Sequence, residues 1–238
     1  MTPIVVWFNR DLRISNHPAL AAAANLGAPV IGCYIWDGEC EHSWSLGSAG
    51  KWWLYHSLST LDQQIRKRGG SLILRRGRIV ESLQSIVVEA NAQAVFWSKR
   101  NAVAGQDSDE VIQSNLKAQG VTARIFNDGL IFDPDKVLTK TGQPFRRFTP
   151  FFRAVLKQRP TTAVHSSGPY AQFSKSSIRS DSLLNWNFLH NNYRSNDRLK
   201  EVWSPGEANA SEELQRFLVK DLNKYSKNRD ELNLHGTS

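Results

Sequence analysis

Apolar residues arrive in short bursts rich in β-branched and aromatic side chains, separated by stretches in which they recur every three or four positions. The bursts are Ile4 to Phe8, Val30 to Trp36, Ser71 to Leu74, Ala94 to Trp97 and Thr122 to Phe126. Several are apolar at nearly every position, the mark of strands covered on both faces and therefore of a parallel sheet between helical layers. Between them lie helical patterns over Pro18 to Leu26, Ser48 to Lys67, Ile79 to Asn91 and Asp107 to Gln119. In the second, Leu54, Leu58, Leu61 and Ile65 make one core-facing stripe that Gly69 and Gly70 bring to an end. Parallel neighbours need crossover connections, so five strands with intervening helices predict a doubly wound, Rossmann-like α/β sheet.

After Phe126 the rhythm changes. Phe148 to Leu156 predicts one short helix, and Gln158 to Ser182 is Ser-, Thr-, Pro- and Gly-rich with no period. Beyond Pro205 a helical pattern resumes, with Ala210, Leu214, Phe217, Leu218, Leu222 and Tyr225 on one stripe. Acidic Glu207, Glu212 and Glu213 come early and Lys220, Lys224 and Lys227 late, as the helix dipole favours. The stripe is expected to stand exposed at Leu214, Phe217, Leu218 and Leu222, because no partner for it follows in the sequence. The predicted organisation is an α/β domain over 1–133, an irregular linker over 134–202, and over 203–238 the first helix of a truncated all-α domain.

Composition sets outer bounds. Hydrophobic residues are 40% and charged residues 22% of 238, ordinary for a folded globular chain. Neither a membrane span nor a signal peptide is readable, so a cytoplasmic monomer is expected. Cys33 and Cys40 fit no disulfide framework or metal spacing, and the six histidines are scattered, so no metal is expected. The net charge of +8 is unevenly spread: residues 131–238 carry +6 of it, and Lys136 to Arg179 contains nine basic residues and no acidic one. A polyanion partner and a solvated basic linker are equally compatible with that run.

The sequence contains no G-x-G-x-x-G, P-loop, G-x-S-x-G or H-E-x-x-H, so the usual dinucleotide, phosphoryl-transfer, hydrolase and zinc readings lose their warrants. The first strand runs into Trp7-Phe8-Asn9-Arg10-Asp11-Leu12-Arg13, where alternating Arg, Asp and Arg suit a salt-bridged turn at the strand's carboxyl end. This run, with Asn16-His17-Pro18-Ala19-Leu20 after it, resembles the W-F-R-x-D-L-R-x-x-D-N-x-A-L opening of the photolyase and cryptochrome family. Ser45 to Leu58, Asn127 to Pro150 and Trp203-Ser204-Pro205-Gly206-Glu207 through Gly236-Thr237-Ser238 resemble further family segments, in family order.

That resemblance implies a deoxyribodipyrimidine photo-lyase, in which light-excited reduced FAD gives one electron to a pyrimidine dimer in UV-damaged DNA, and the protein supplies binding and orientation. It also implies that this chain is an N-terminal part, inactive alone. Matching positions make Tyr225, Arg229, Thr237 and Ser238 the candidate FAD contacts; Tyr225 and Arg229 lie one helical turn apart, and a hydroxyl pair suits a helix N-cap that cradles phosphate. On spacing alone Tyr225 merely continues the apolar stripe. Trp36, Trp44 and Lys51 are the candidates for an antenna pigment, a folate or a deazaflavin. The chain departs from folate-binding members where Trp44 replaces a histidine and Ala104-Gly105 an Asn-Glu pair. The alternatives are a cryptochrome-like blue-light receptor, which carries the same motifs, and a free-standing α/β small-ligand-binding domain.

Overall fold

A computed structural model describes residues 1–38, 46–100, 103–133, 136–158, 171–189 and 193–231. Its centre is a five-stranded, all-parallel sheet of β1 (Ile4–Phe8), β2 (Val30–Trp36), β3 (Ile73–Arg76), β4 (Ala94–Ser98) and β5 (Thr122–Phe126), in the order β3-β2-β1-β4-β5. The crossovers are α1 (Pro18–Asn25), α2 (Ser48–Lys67), α3 (Ile79–Ala90) and α4 (Val103–Ala118).

Alternation along β1 divides the core into two layers. Ile4, Val6 and Phe8 face Ala19, Leu20 and Ala23 of α1 and Leu58, Leu61 and Ile65 of α2. Val5 and Trp7 face the opposite way, toward Leu83, Ile86 and Val87 of α3 and Ile112 and Leu116 of α4. With helices on both faces, no residue of β1 is more than 2% exposed, which accounts for a run lacking any polar position.

Strand β3 begins two residues later than the apolar pattern suggests. Its pairing with Cys33 to Trp36 runs over Ile73–Arg76, while the Leu72 N–H turns aside to the Asp62 carboxylate at 2.9 Å. Two arginines in a strand disguised it. Arg75 is buried because one guanidinium nitrogen contacts both carboxylate oxygens of Glu89 at 2.7 Å. Neighbouring contacts from Ser85 first, then Arg75, hold Glu89 below the usual carboxylate range against the opposing effect of burial.

The Ser/Thr-rich stretch is predicted to be irregular, yet part of it belongs to the sheet lobe. Residues 171–181 run along the β2–β3 edge: the Val30 N–H donates to the Gln172 carbonyl, the Ser174 N–H to the Val30 carbonyl, and the Asp181 N–H to the Leu74 carbonyl. Phe173 enters the core beneath this strap. A Cβ at Gly70 would lie 2.5 Å from the Phe173 Cβ, so glycine is needed there for close approach. A single 3-10 turn, Leu183–Trp186, then sets Trp186 beside Tyr34, and Phe188 follows it onto Trp36.

Helix α5 (Phe148–Val155) forms where expected, and α6 (Tyr193–Val202) was not anticipated. The pattern after Pro205, read as one helix through Tyr225, is broken: α7 (Glu207–Lys220) ends at Asp221, a 3-10 turn covers Leu222–Lys224, and α8 (Tyr225–Asn228) follows. The Asp221 side chain pairs back to Arg216, which fixes the break. Leu214, Leu218 and Leu222 stand exposed as expected, but Phe217 is buried, with the Tyr225 ring edge-on to it at 5.8 Å. Among the described residues no helix is long and apolar enough to cross a membrane.

Candidate functional site

In doubly wound sheets ligands bind outside the carboxyl ends of the strands where strand order reverses, here between β1 and β4. Protein groups close that crevice. Asn9 Nδ2 donates to the Ser98 carbonyl at 3.0 Å, bridging the two strand ends, and Arg13 pairs with Asp128 at 2.7 Å. The expected Arg-Asp-Arg knot therefore exists with different partners. Asp11 is joined by His17, whose Nε2 lies 2.9 Å from Oδ2, and Arg10 faces solvent.

Burial and the neighbouring contacts act on Asp11 in opposite directions. Burial alone would raise the Asp11 carboxyl; the His17 imidazole, the Ser98 hydroxyl and the Asn9 N–H outweigh it and hold the group at about 2. His17 Nδ1 accepts the Leu20 N–H at 3.3 Å, capping α1, so both ring nitrogens are engaged and the ring is fully enclosed. Asp11, His17 and Ser98 thus form a structural set with no surface from which to act on a substrate. Nearby, Asp109 binds Arg100 at 2.7 Å, and the guanidinium covers the Trp7 ring.

The candidate antenna residues fall on two elements. Trp36 ends β2 with its ring packed edge-on against Phe188 at 4.8 Å and the Gly38 backbone against it. Lys51 is half-buried in the first turn of α2, and no hydrogen bond or ring contact joins it to Trp36. Trp44 lies outside the described residues, as do Ala104 and Gly105 in side-chain terms.

The candidate flavin residues are better assembled. Tyr225 and Arg229 flank α8, with the guanidinium 6.0 Å from the phenol ring centre. Both are exposed, and the ion partner of Arg229 is its neighbour Asp230 at 3.5 Å. A phenol and a weakly engaged guanidinium side by side make a donor set suited to one phosphate. Thr237 and Ser238 lie outside the described residues.

Sequence reading missed three contributors: His17 as partner of Asp11, Asp128 as partner of Arg13, and Glu207. Glu207 belongs to the Trp203–Glu207 family segment and supplies charge at a helix start, but its carboxylate also accepts the Ile14 N–H at 2.8 Å and the Ser15 N–H at 2.7 Å. No local signal identifies a partner about 190 residues away. A shallow groove of about 550 Å³ beside Lys117, Gly120 and Thr122 lies at the amino end of β5, away from all these groups.

The model of the DNA photolyase family matches residues 4–168. The chain belongs to this family. It is 34% identical to a deoxyribodipyrimidine photo-lyase of Agrobacterium fabrum over 228 residues, 96% of this chain and 47% of that protein. Cryptochrome-1 of Arabidopsis thaliana is also 34% identical, over 94% of this chain and 33% of its own length. The crystal structure of a class III photolyase from Agrobacterium tumefaciens superposes with a TM-score of 0.88 at 33% identity, covering 99% of this chain and 48% of that one. The chain thus spans about half the length of these photolyases, or less for the cryptochrome, and the structural likeness continues beyond residue 168 into the helices that follow the sheet.

Proposed function

We propose that this chain is the antenna lobe, linker and first flavin-side helices of a light-dependent DNA repair flavoprotein of the photolyase type. The observation that carries this reading is identity of 34% to a deoxyribodipyrimidine photo-lyase over 96% of the chain, with the fold shared over the same extent. On this reading the α/β domain covers 1–133, the linker 134–202, of which residues 171–181 return to the sheet lobe, and the flavin-side segment 203–238.

FAD is the proposed cofactor. When bound, reduced and excited by light, it supplies the electron that opens a pyrimidine dimer. The part played by this chain is binding: the Arg229 guanidinium and Tyr225 phenol engage the pyrophosphate, with Thr237 and Ser238 as proposed hydroxyl donors. An antenna pigment, folate or deazaflavin, is assigned to Trp36, Trp44 and Lys51. The proposed partner is UV-damaged DNA. Exposed Arg146, Arg147, Arg153 and Lys157 around α5 offer a positive surface to its phosphates.

The test has two arms. The 238-residue chain purified with FAD should retain no stoichiometric flavin, and the longest in-frame product containing it should repair a thymine-dimer oligonucleotide under blue light. Stoichiometric retention refutes the division of the flavin site, and absence of repair refutes the enzymatic reading. Equal identity to a plant cryptochrome supports a second reading, a blue-light receptor; flavin binding without repair favours it. For α5, log affinity for DNA should fall with log salt by about 0.9 per phosphate neutralised, and a flat response removes the DNA role.

A further inference from the structure

The flavin-side helices meet the sheet lobe at a small number of contacts, and one of them is chemically unlike the rest. Trp203 sets its ring edge-on to Trp53 of α2 at 5.8 Å. Gly206, at φ +123°, lets the chain pass so close to α2 that a Cβ would stand 2.8 Å from Thr60 Cγ2. These contacts bring the two elements together while leaving both tryptophan rings partly exposed, and neither fixes direction. Glu207, the first residue of α7, does: its two carboxylate oxygens separately accept two successive backbone N–H groups, those of Ile14 and Ser15. Two charge-assisted bonds on a planar group define both distance and orientation.

The receiving loop is suited to that task. Successive N–H groups converging on one anion form an anion nest, and Asn16 directly after them turns through φ +50°. The loop is held by the Asn9 bridge to Ser98, the Asp11–His17 pair and the Arg13–Asp128 pair, with Arg13 also donating to the Asn16 carbonyl at 2.8 Å. Glu207 therefore grips a part of the loop already tied to β1, β4 and α1.

We propose that Glu207 is the positioning residue that registers α7 and α8 against the sheet lobe, through an internal anion site formed by the Ile14 and Ser15 amides. It would thereby set where Tyr225 and Arg229 stand relative to the carboxyl ends of the strands. The consequence for a flavin and an antenna pigment rests on the function proposed above; the latch itself does not.

The experiment uses the 238-residue chain without any cofactor, so its failure is separable from failure of the flavin reading. Glu207→Ala should speed amide hydrogen exchange at Ile14 and Ser15 by about tenfold or more while exchange in β1 and β4 is unchanged. Glu207→Gln, which retains one carbonyl oxygen, should fall between the two. Spin labels at Val88→Cys and Val219→Cys, with Cys40→Ser, should give a single narrow distance distribution that broadens in Glu207→Ala. Glu213→Gln, which removes a carboxylate whose ion pair is with Arg216 on the same helix, should leave both readouts as they were. If Glu207→Ala does not fold, the Glu207→Gln comparison decides. Parental exchange at Ile14 and Ser15 in the variant, or an unbroadened distribution, overturns the proposal.

Discussion

Strand β1 and helix α7 are both amphipathic or apolar elements in one chain, and their fates differ. Every side chain of β1 is enclosed between two helical layers, whereas Leu214 and Leu218 of α7 and Leu222 in the turn after it remain 43–49% exposed. The difference lies in who supplies the partner. The sheet lobe draws α1 to α4 and its own strap around both faces, so it completes a core from nearby sequence. Helix α7 finds cover for Phe217 and relies on polar registration by Glu207 for its placement, leaving the rest of its apolar face open among the described residues.

That comparison can be broken at several points. The largest effect is expected where the strap completes the core: Phe173→Ala should cost about 3–5 kcal/mol in urea unfolding, with Gly70→Ala also strongly destabilising because its Cβ meets Phe173. A loss below about 1 kcal/mol for Phe173→Ala would mean the lobe closes without residues 171–181.

Next comes the Asp11–His17 pair. Since the folded carboxyl sits at about 2, below its ordinary value of 3.8, its contribution to stability is present above pH ~4 and is lost as pH falls toward 2. The amount is about 2.5 kcal/mol at most. Denaturant titrations from pH 6 to pH 2 should show this loss in the parent and not in Asp11→Asn, which should be less stable at pH 6; parallel curves would remove the Asp11–His17 contact from the account.

Smaller still, Leu218→Lys should change stability by no more than about 0.5 kcal/mol while raising the concentration at which the chain stays monodisperse. A cost above about 2 kcal/mol would show that the face is covered in solution. Smallest in stability is Arg229→Ala, expected to leave the unfolding midpoint unmoved but to weaken FAD retention about tenfold or more in a product that binds it. Unchanged retention would remove Arg229 from the proposed site.

Much of the sheet lobe was legible because its code is local. Runs such as Ile4 to Phe8 and the Leu54-Leu58-Leu61-Ile65 stripe announce their element and their burial within a few residues. Departures occur where burial depends on a distant partner. Arg75 looks like a strand end until Glu89 neutralises it, and residues 171–181 look like linker until the backbone hydrogen bonds to Val30 and Leu74 are seen. The candidate site was legible in the same uneven way. The family resemblance singled out Tyr225 and Arg229, helical spacing put them one turn apart, and they do stand together; the order of Asp11, Arg13 and Glu207 gave no hint that their partners are His17, Asp128 and the Ile14 and Ser15 amides.

What the sequence by itself determined is the alternation of strands and helices, the two-sided burial of the sheet and the family to which the chain belongs, because periodicity and ordered motifs are properties of neighbouring residues. What only the tertiary structure decided is which charges meet, which part of the apparent linker seals the sheet edge, and how α7 and α8 are set against it. Those depend on contacts between residues from six to nearly two hundred positions apart, and a hydrogen bond or ion pair leaves no trace in the spacing of either partner alone.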